Sequence, residues 1–283
     1  MSSYRDSRTL EQLVGFAKKM SNDPVSDITP EEFEAYKKDK DAFFLFLHGR
    51  DQGTDDIEKL AKRFISTSAF YSSSDSTLAR RLGVTSTPAL VAVQNGEVST
   101  FKGHEFSAGV GQDSAAEAWI KEHRLPLFGG LDFYNTDFFL STEDLVVILI
   151  ADPGQSSFSL RSKPEMAKAA IQFHREHQQG LQKAKVHFVW LDGSKWFGFA
   201  SKSYGISSSS DLPLVIVANA GNGEYYEREK GAAERVKIEA KELLAFVRHV
   251  QEGQVEGYSI GGAIRGMVFS VQKALTPLAV SDL

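Results

Sequence analysis

His174 and His177 stand three residues apart in a segment of helical pattern, a spacing that puts two imidazoles on one face, where they could hold a metal ion. No carboxylate pattern nearby completes a ligand set and the surrounding face is polar, so a solvated surface is expected and no metal site. Ser156 and Ser157 open a helix, where a hydroxyl becomes a nucleophile only beside a paired base. Nothing in the sequence supplies that base, and helix capping is the expected role. Ala220-Gly-Asn-Gly223 has the glycine content of a phosphate cradle, yet it falls between two strand patterns and reads as a hairpin turn. The chain of 283 residues has no cysteine, which excludes disulfides, thiolate metal sites and a cysteine nucleophile within it. What remains is apolar chemistry. Trp196, Phe197 and Phe199 fall within about one helical turn. If Ala200 and Tyr204 face the core, Trp196 continues their stripe, and Phe197 and Phe199 cannot both share it. At least one aromatic ring is then left for a binding surface, or for packing on the helix at 163–182 or on another domain.

The elements that position these residues come in two matching series. Leu78-Ala-Arg-Arg-Leu-Gly-Val84 leads to Thr87-Pro88, the apolar run Ala89-Leu-Val-Ala-Val93 and the turn Asn95-Gly96-Glu97. Ala200-Ser-Lys-Ser-Tyr-Gly-Ile206 leads to Leu212-Pro213, Leu214-Val-Ile-Val217 and Gly221-Asn-Gly-Glu224. Each is a short helix, a glycine turn, an X-Pro bond and a strand, and Asn-Gly between apolar runs is a strong hairpin signal. Upstream in the first series, Thr29-Pro30 starts a helix, Phe43–Leu47 reads as a strand covered on both faces, and 57–64 is an amphipathic helix. A short strand at 68–73 precedes the X-Pro unit, and a helix at 114–123 closes the series. Leu125–Gly130 breaks the periodicity as a linker. The second series has a short helix at 136–140, strands at 145–150 and 186–190, a long helix at 163–182, and a last helix near 238–251. Such alternation predicts an α/β fold with two domains, each a central mixed sheet with helices on both faces.

The length suits two domains, and 42% hydrophobic with 24% charged residues is ordinary for a globular protein. A net charge of -5 argues against a nucleic-acid partner. No apolar run reaches the roughly 18 residues of a membrane span, and no secretory leader is visible at the start. Residues 264, 267, 268, 271, 275 and 278 line one face of a helix in the tail, which Pro277 ends or kinks.

The X-Pro strand followed by Asn-Gly-Glu resembles the thioredoxin fold, and the tandem arrangement resembles the non-catalytic b and b′ domains of the protein disulfide isomerase family, in its membrane-anchored members above all. The resemblance implies a division into 1–22, the remnant of a preceding thioredoxin domain or a linker helix; 23–126, domain b; 127–258, domain b′; and 259–283, a helical tail. It implies cis prolines at Pro88 and Pro213. A catalytic member carries Cys-x-x-Cys where this chain has His48-Gly-Arg-Asp-Gln-Gly-Thr54 and Ala151-Asp-Pro-Gly-Gln-Ser-Ser157, so neither domain can form the thiolate of that redox reaction. The family's b′ domain holds substrates in an apolar groove, which here implies Phe158, Trp196, Phe197 and Phe199. The expected function is a redox-inactive chaperone module holding unfolded polypeptides in the endoplasmic reticulum lumen for an upstream catalytic domain of the same chain. No cofactor is expected; a membrane anchor beyond the segment and a homodimer are both compatible with it. The alternative is a self-associating scaffold resembling calsequestrin, which the modest net charge disfavours.

Overall fold

The computed structural model of the chain describes residues 23–49, 54–65, 67–101, 114–131, 135–181 and 185–260. The helix expected at 8–20 and the amphipathic tail from 264 lie outside these residues. The chain divides into two compact units, Met1–Pro126 and Leu127–Leu283.

In the first unit the strands are β1 (Ser26–Asp27), β2 (Ala42–Leu47), β3 (Phe70–Ser73), β4 (Ala89–Gln94) and β5 (Glu97–Thr100). They form one sheet in the order β1-β3-β2-β4-β5, with β1, β3 and β2 parallel, β4 antiparallel to β2 and β5 antiparallel to β4. The helices are α1 (Pro30–Asp39), α2 (Asp55–Phe64), α3 (Ser76–Arg81) and α4 (Ala115–His123). Alternation along β2 and β4 splits the core in two. Phe44, Phe46, Leu90 and Ala92 pack under α2 and α4, while Phe43, Leu45, Val91 and Val93 pack with Phe33 of α1 and Leu78 of α3. A capping box starts α1: Glu32 N–H donates to Thr29 Oγ1 at 3.2 Å, and Thr29 N–H donates to Glu32 Oε2 at 2.9 Å. Thr29→Ala is expected to lower stability by about 1 kcal/mol, read from the urea midpoint; no shift would mean that the cap is energetically idle.

The second unit has β6 (Phe128–Gly130), α5 (Thr136–Ser141), β7 (Leu145–Ala151), α6 (Lys163–Gln178), β8 (Val186–Asp192), α7 (Phe197–Tyr204), β9 (Leu214–Asn219), β10 (Glu224–Tyr226), α8 (Ala240–Gln251) and β11 (Tyr258–Ser259). Its sheet runs β11-β10-β9-β7-β8-β6, with β6, β8 and β7 parallel and β9, β10 and β11 antiparallel. One face carries Val147, Leu149, Val215, Val217 and Phe188 beneath α6 and α8. Register assigns the other face: His187, Val146, Ala218, Tyr225 and Tyr258 are successive partners across β8, β7, β9, β10 and β11, and so form one row. That row lies under α5 and α7.

Both X-Pro bonds, Thr87–Pro88 and Leu212–Pro213, are cis. By its strand order and its cores, each half is α/β, with a mixed sheet and helices on both faces. The linker reading of 125–130 needs correction, because Phe128–Gly130 is a strand paired with Phe188–Trp190. A three-residue strand with two glycines carries no readable period. A Cβ on Gly130 would stand 3.3 Å from the Trp190 indole, a tight contact that the ring would have to ease by a small shift.

Candidate functional site

The aromatic turn is built from the end of β8. Asp192 folds the chain into α7: its carboxylate accepts from Ser194 N–H and Lys195 N–H, each at 3.0 Å, and from Ser194 Oγ at 2.6 Å. Burial works against that charge, yet these hydrogen bonds and the Lys195 ammonium hold the carboxyl below its ordinary value. The first helical bond follows, from Ala200 N–H to Trp196 O at 3.0 Å. Gly205, in the left-handed region at φ 66°, ends α7.

On this frame Ala200, Ser203 and Tyr204 face the sheet, and Trp196, Phe197 and Phe199 are each half-buried. The Lys195 ammonium lies 5.4 Å from the Trp196 ring centroid, a cation–π arrangement. Phe199 meets Tyr204 edge-on at 6.0 Å, and Tyr204 meets Tyr225 at 5.4 Å. Tyr225 Oη donates to the Tyr204 backbone carbonyl at 3.1 Å. The Tyr204 hydroxyl itself is fully enclosed with no hydrogen-bond partner among the described residues, and burial pushes its titration far above the usual phenol value.

Phe158 does not join this group. It is 6% exposed and belongs to the core beneath α6, with its ring 4.9 Å from that of Trp190. Trp190 pairs with Leu149, so the contact is on the sheet face opposite α7. The four-residue groove of the sequence reading is corrected to three half-buried aromatics, Trp196 at the N-cap of α7 with Phe197 and Phe199 in its first turn, because strand alternation sends Phe158's neighbours to the other side.

Phe158 lies in a single π-turn, Phe158–Ser162, where Lys163 N–H bonds Phe158 O before α6 begins. That turn carries a residue which sequence reasoning missed. Leu160 is 80% exposed, just after the stretch 151–157. The available signal was helical phase: Ser162, Met166, Ala170 and Phe173 fill the core stripe, and Leu160 falls off it.

The remaining candidates make local contacts. Asn219 Oδ1 accepts from the Gly221 and Asn222 amides, closing the β9–β10 turn. His174 Nε2 lies 2.9 Å from Gln178 Nε2, and among the described residues no cluster of acidic or histidine side chains is arranged for a metal. Ser157 Oγ lies 3.5 Å from Gln155 Oε1. His48 Nδ1 is 2.9 Å from Gly49 O. Among the described residues, no helix is long and apolar enough to cross a membrane.

A family model described as thioredoxin-like domain matches residues 54–248. Protein disulfide-isomerase TMX3 of Xenopus laevis is 18% identical over 269 residues, covering 93% of this chain and 54% of its own length. A protein disulfide-isomerase of Aspergillus oryzae is 23% identical over 256 residues, covering 89% of this chain and 45% of its own. The chain spans about half the length of these curated relatives. Among solved structures, the bb fragment of ERp72 aligns with TM-score 0.54 at 18% identity, over 83% of this chain and all of that fragment. Two tandem sheets of thioredoxin topology and the matched domain model agree: the chain, which has no cysteine, belongs to the thioredoxin-like domain family and is similar to the protein disulfide isomerases named above.

Proposed function

We propose that this chain is a redox-inactive, client-binding module of a protein disulfide isomerase. It holds unfolded polypeptides for a catalytic Cys-x-x-Cys domain upstream in a longer parent protein, in the lumen of the endoplasmic reticulum. The observation that carries the reading is the first turn of α7, where Trp196, Phe197 and Phe199 are half-buried together. Aromatic rings supply large contact area at low cost in side-chain entropy, which suits partners of many sequences. Nothing reactive stands in the way, because the chain has no cysteine to form a mixed disulfide. Flexible clients lose affinity to their own ordering, so exchangeable binding is expected.

The test is fluorescence anisotropy of a labelled, unfolded, aromatic-rich peptide titrated with the chain. Saturable binding is expected, weakened about tenfold in the Trp196→Ala/Phe197→Ala double variant, which corresponds to about 1.4 kcal/mol. Circular dichroism of that variant should match the parent. Absence of binding, or an unchanged affinity in a folded double variant, would overturn the reading.

A further inference from the structure

His187 occupies an unusual place for an ionisable group. It sits on β8, at one end of the cross-sheet row that Val146 and Ala218 continue, and its side chain is 22% exposed. Helix α5 covers it. The rings of Phe138 and Phe139 stand 5.2 and 5.6 Å from the imidazole, both edge-on. Below the ring, Nε2 is 3.1 Å from Asp144 Oδ2, and the same carboxylate oxygen accepts from Thr142 Oγ1 at 3.1 Å. A neutral imidazole protonated at Nε2 satisfies this arrangement, donating to the carboxylate while its carbon edges meet two phenyl rings.

We propose that α5 is a proton-released flap, docked on the sheet by the neutral imidazole of His187 and let go when that imidazole takes up a proton. An imidazolium placed under two phenyl rings loses hydration that a single carboxylate does not replace. The charged groups that bear on the ring are Asp144, ahead of β7, and Lys185, ahead of β8; Phe138 and Phe139 face it from α5, and Val146 is its partner on β7. Burial is the largest influence and holds the imidazole below the ordinary histidine value of 6.5; the Asp144 hydrogen bond and charge oppose it, and Lys185 adds to it. The sign follows from linkage. A group titrating lower in the docked state than in the released one stabilises docking in full above about pH 6.5, and that stabilisation is lost as pH falls through the lowered value. The N-terminal end of α5 stays pinned, because Asn135 Nδ2 donates to Gly130 O at 2.8 Å. Release therefore swings out Phe138 and the buried Phe139 and uncovers the Val146 end of the row. The inference stands whether or not α7 binds clients.

Amide exchange of the whole chain, corrected for intrinsic rates, tests this at about pH 7.5 and about pH 5.5. Peptides spanning Thr136–Ser141 are expected to exchange several-fold faster at the lower pH, while those spanning Leu145–Ala151 stay protected. His187→Gln, which keeps a neutral hydrogen-bonding side chain, should abolish the response. Asp144→Asn, which removes the charge favouring the imidazolium, should enlarge it. Equal exchange of α5 at both pH values, or an undiminished response in His187→Gln, overturns the proposal. Should that variant fail to fold, the NMR titration of His187 in the unaltered chain decides: a midpoint below 6.5 supports the flap, and one at or above it overturns it.

Discussion

Phe158→Ala is expected to cost about 3–5 kcal/mol of unfolding free energy, the range for truncating an enclosed phenylalanine. The ring is 6% exposed, packs on Trp190 at 4.9 Å, and shares a core with Met166, Ala169 and Phe246. Collapse cannot fill the resulting space, because Phe158 is fixed by the π-turn's own hydrogen bond and Trp190 is held against Gly130. Urea denaturation reads the loss as a lower midpoint with an unchanged slope. The same variant separates core from groove. Lost peptide affinity at unchanged stability would place Phe158 in a binding surface and contradict the packing described above.

Tyr204→Phe is expected to act in the opposite direction, raising stability by about 1–3 kcal/mol. The tyrosine is 2% exposed and its hydroxyl has no partner among the described residues, so the fold bears a desolvation cost with no hydrogen bond in return. The substitution keeps the ring and its edge-on contacts with Phe199 and Tyr225. It also keeps the bond from Tyr225 Oη, which is accepted by a backbone carbonyl. Thermal and urea unfolding should both shift upward, and a downward shift would reveal a partner for the hydroxyl.

The parts of this fold that could be read in the sequence are those whose burial repeats over several residues. Phe43–Leu47 and Leu145–Ile150 are apolar without interruption because helices cover both faces of their strands. Asn95 and Gly96 have φ of 48° and 83°, the left-handed geometry that an Asn-Gly turn permits and other pairs resist. The parts that could not be read are short or single. Ser26–Asp27, Phe128–Gly130 and Tyr258–Ser259 are strands only because a partner lies beside them, and two or three residues have no period. The resemblance alone groups Phe158 with the α7 aromatics, although a stripe through Ser162, Met166 and Ala170 points it at the core. Trp196, Phe197 and Phe199 are each half-buried and none is exposed, so the turn shares partial burial among its three rings where the pattern pointed to at least one free ring. The environment of His187 was illegible, because Asp144, Phe138 and Phe139 reach it only through the parallel pairing of β7 with β8.

The borders of the second sheet bear on how an extended polypeptide can be gripped. One margin is three residues long and the other two, and the longer of them ends in consecutive glycines. A guest seeking to lengthen the ladder by main-chain pairing finds too few free amides and carbonyls at either rim to lock a register. Recruitment by backbone zippering is thereby discouraged, for guests and for stray copies of the protein alike. On the proposed function, a guest is therefore gripped by side-chain contact over a helix and not at these margins, a mode that recognises greasiness and leaves sequence and direction unspecified.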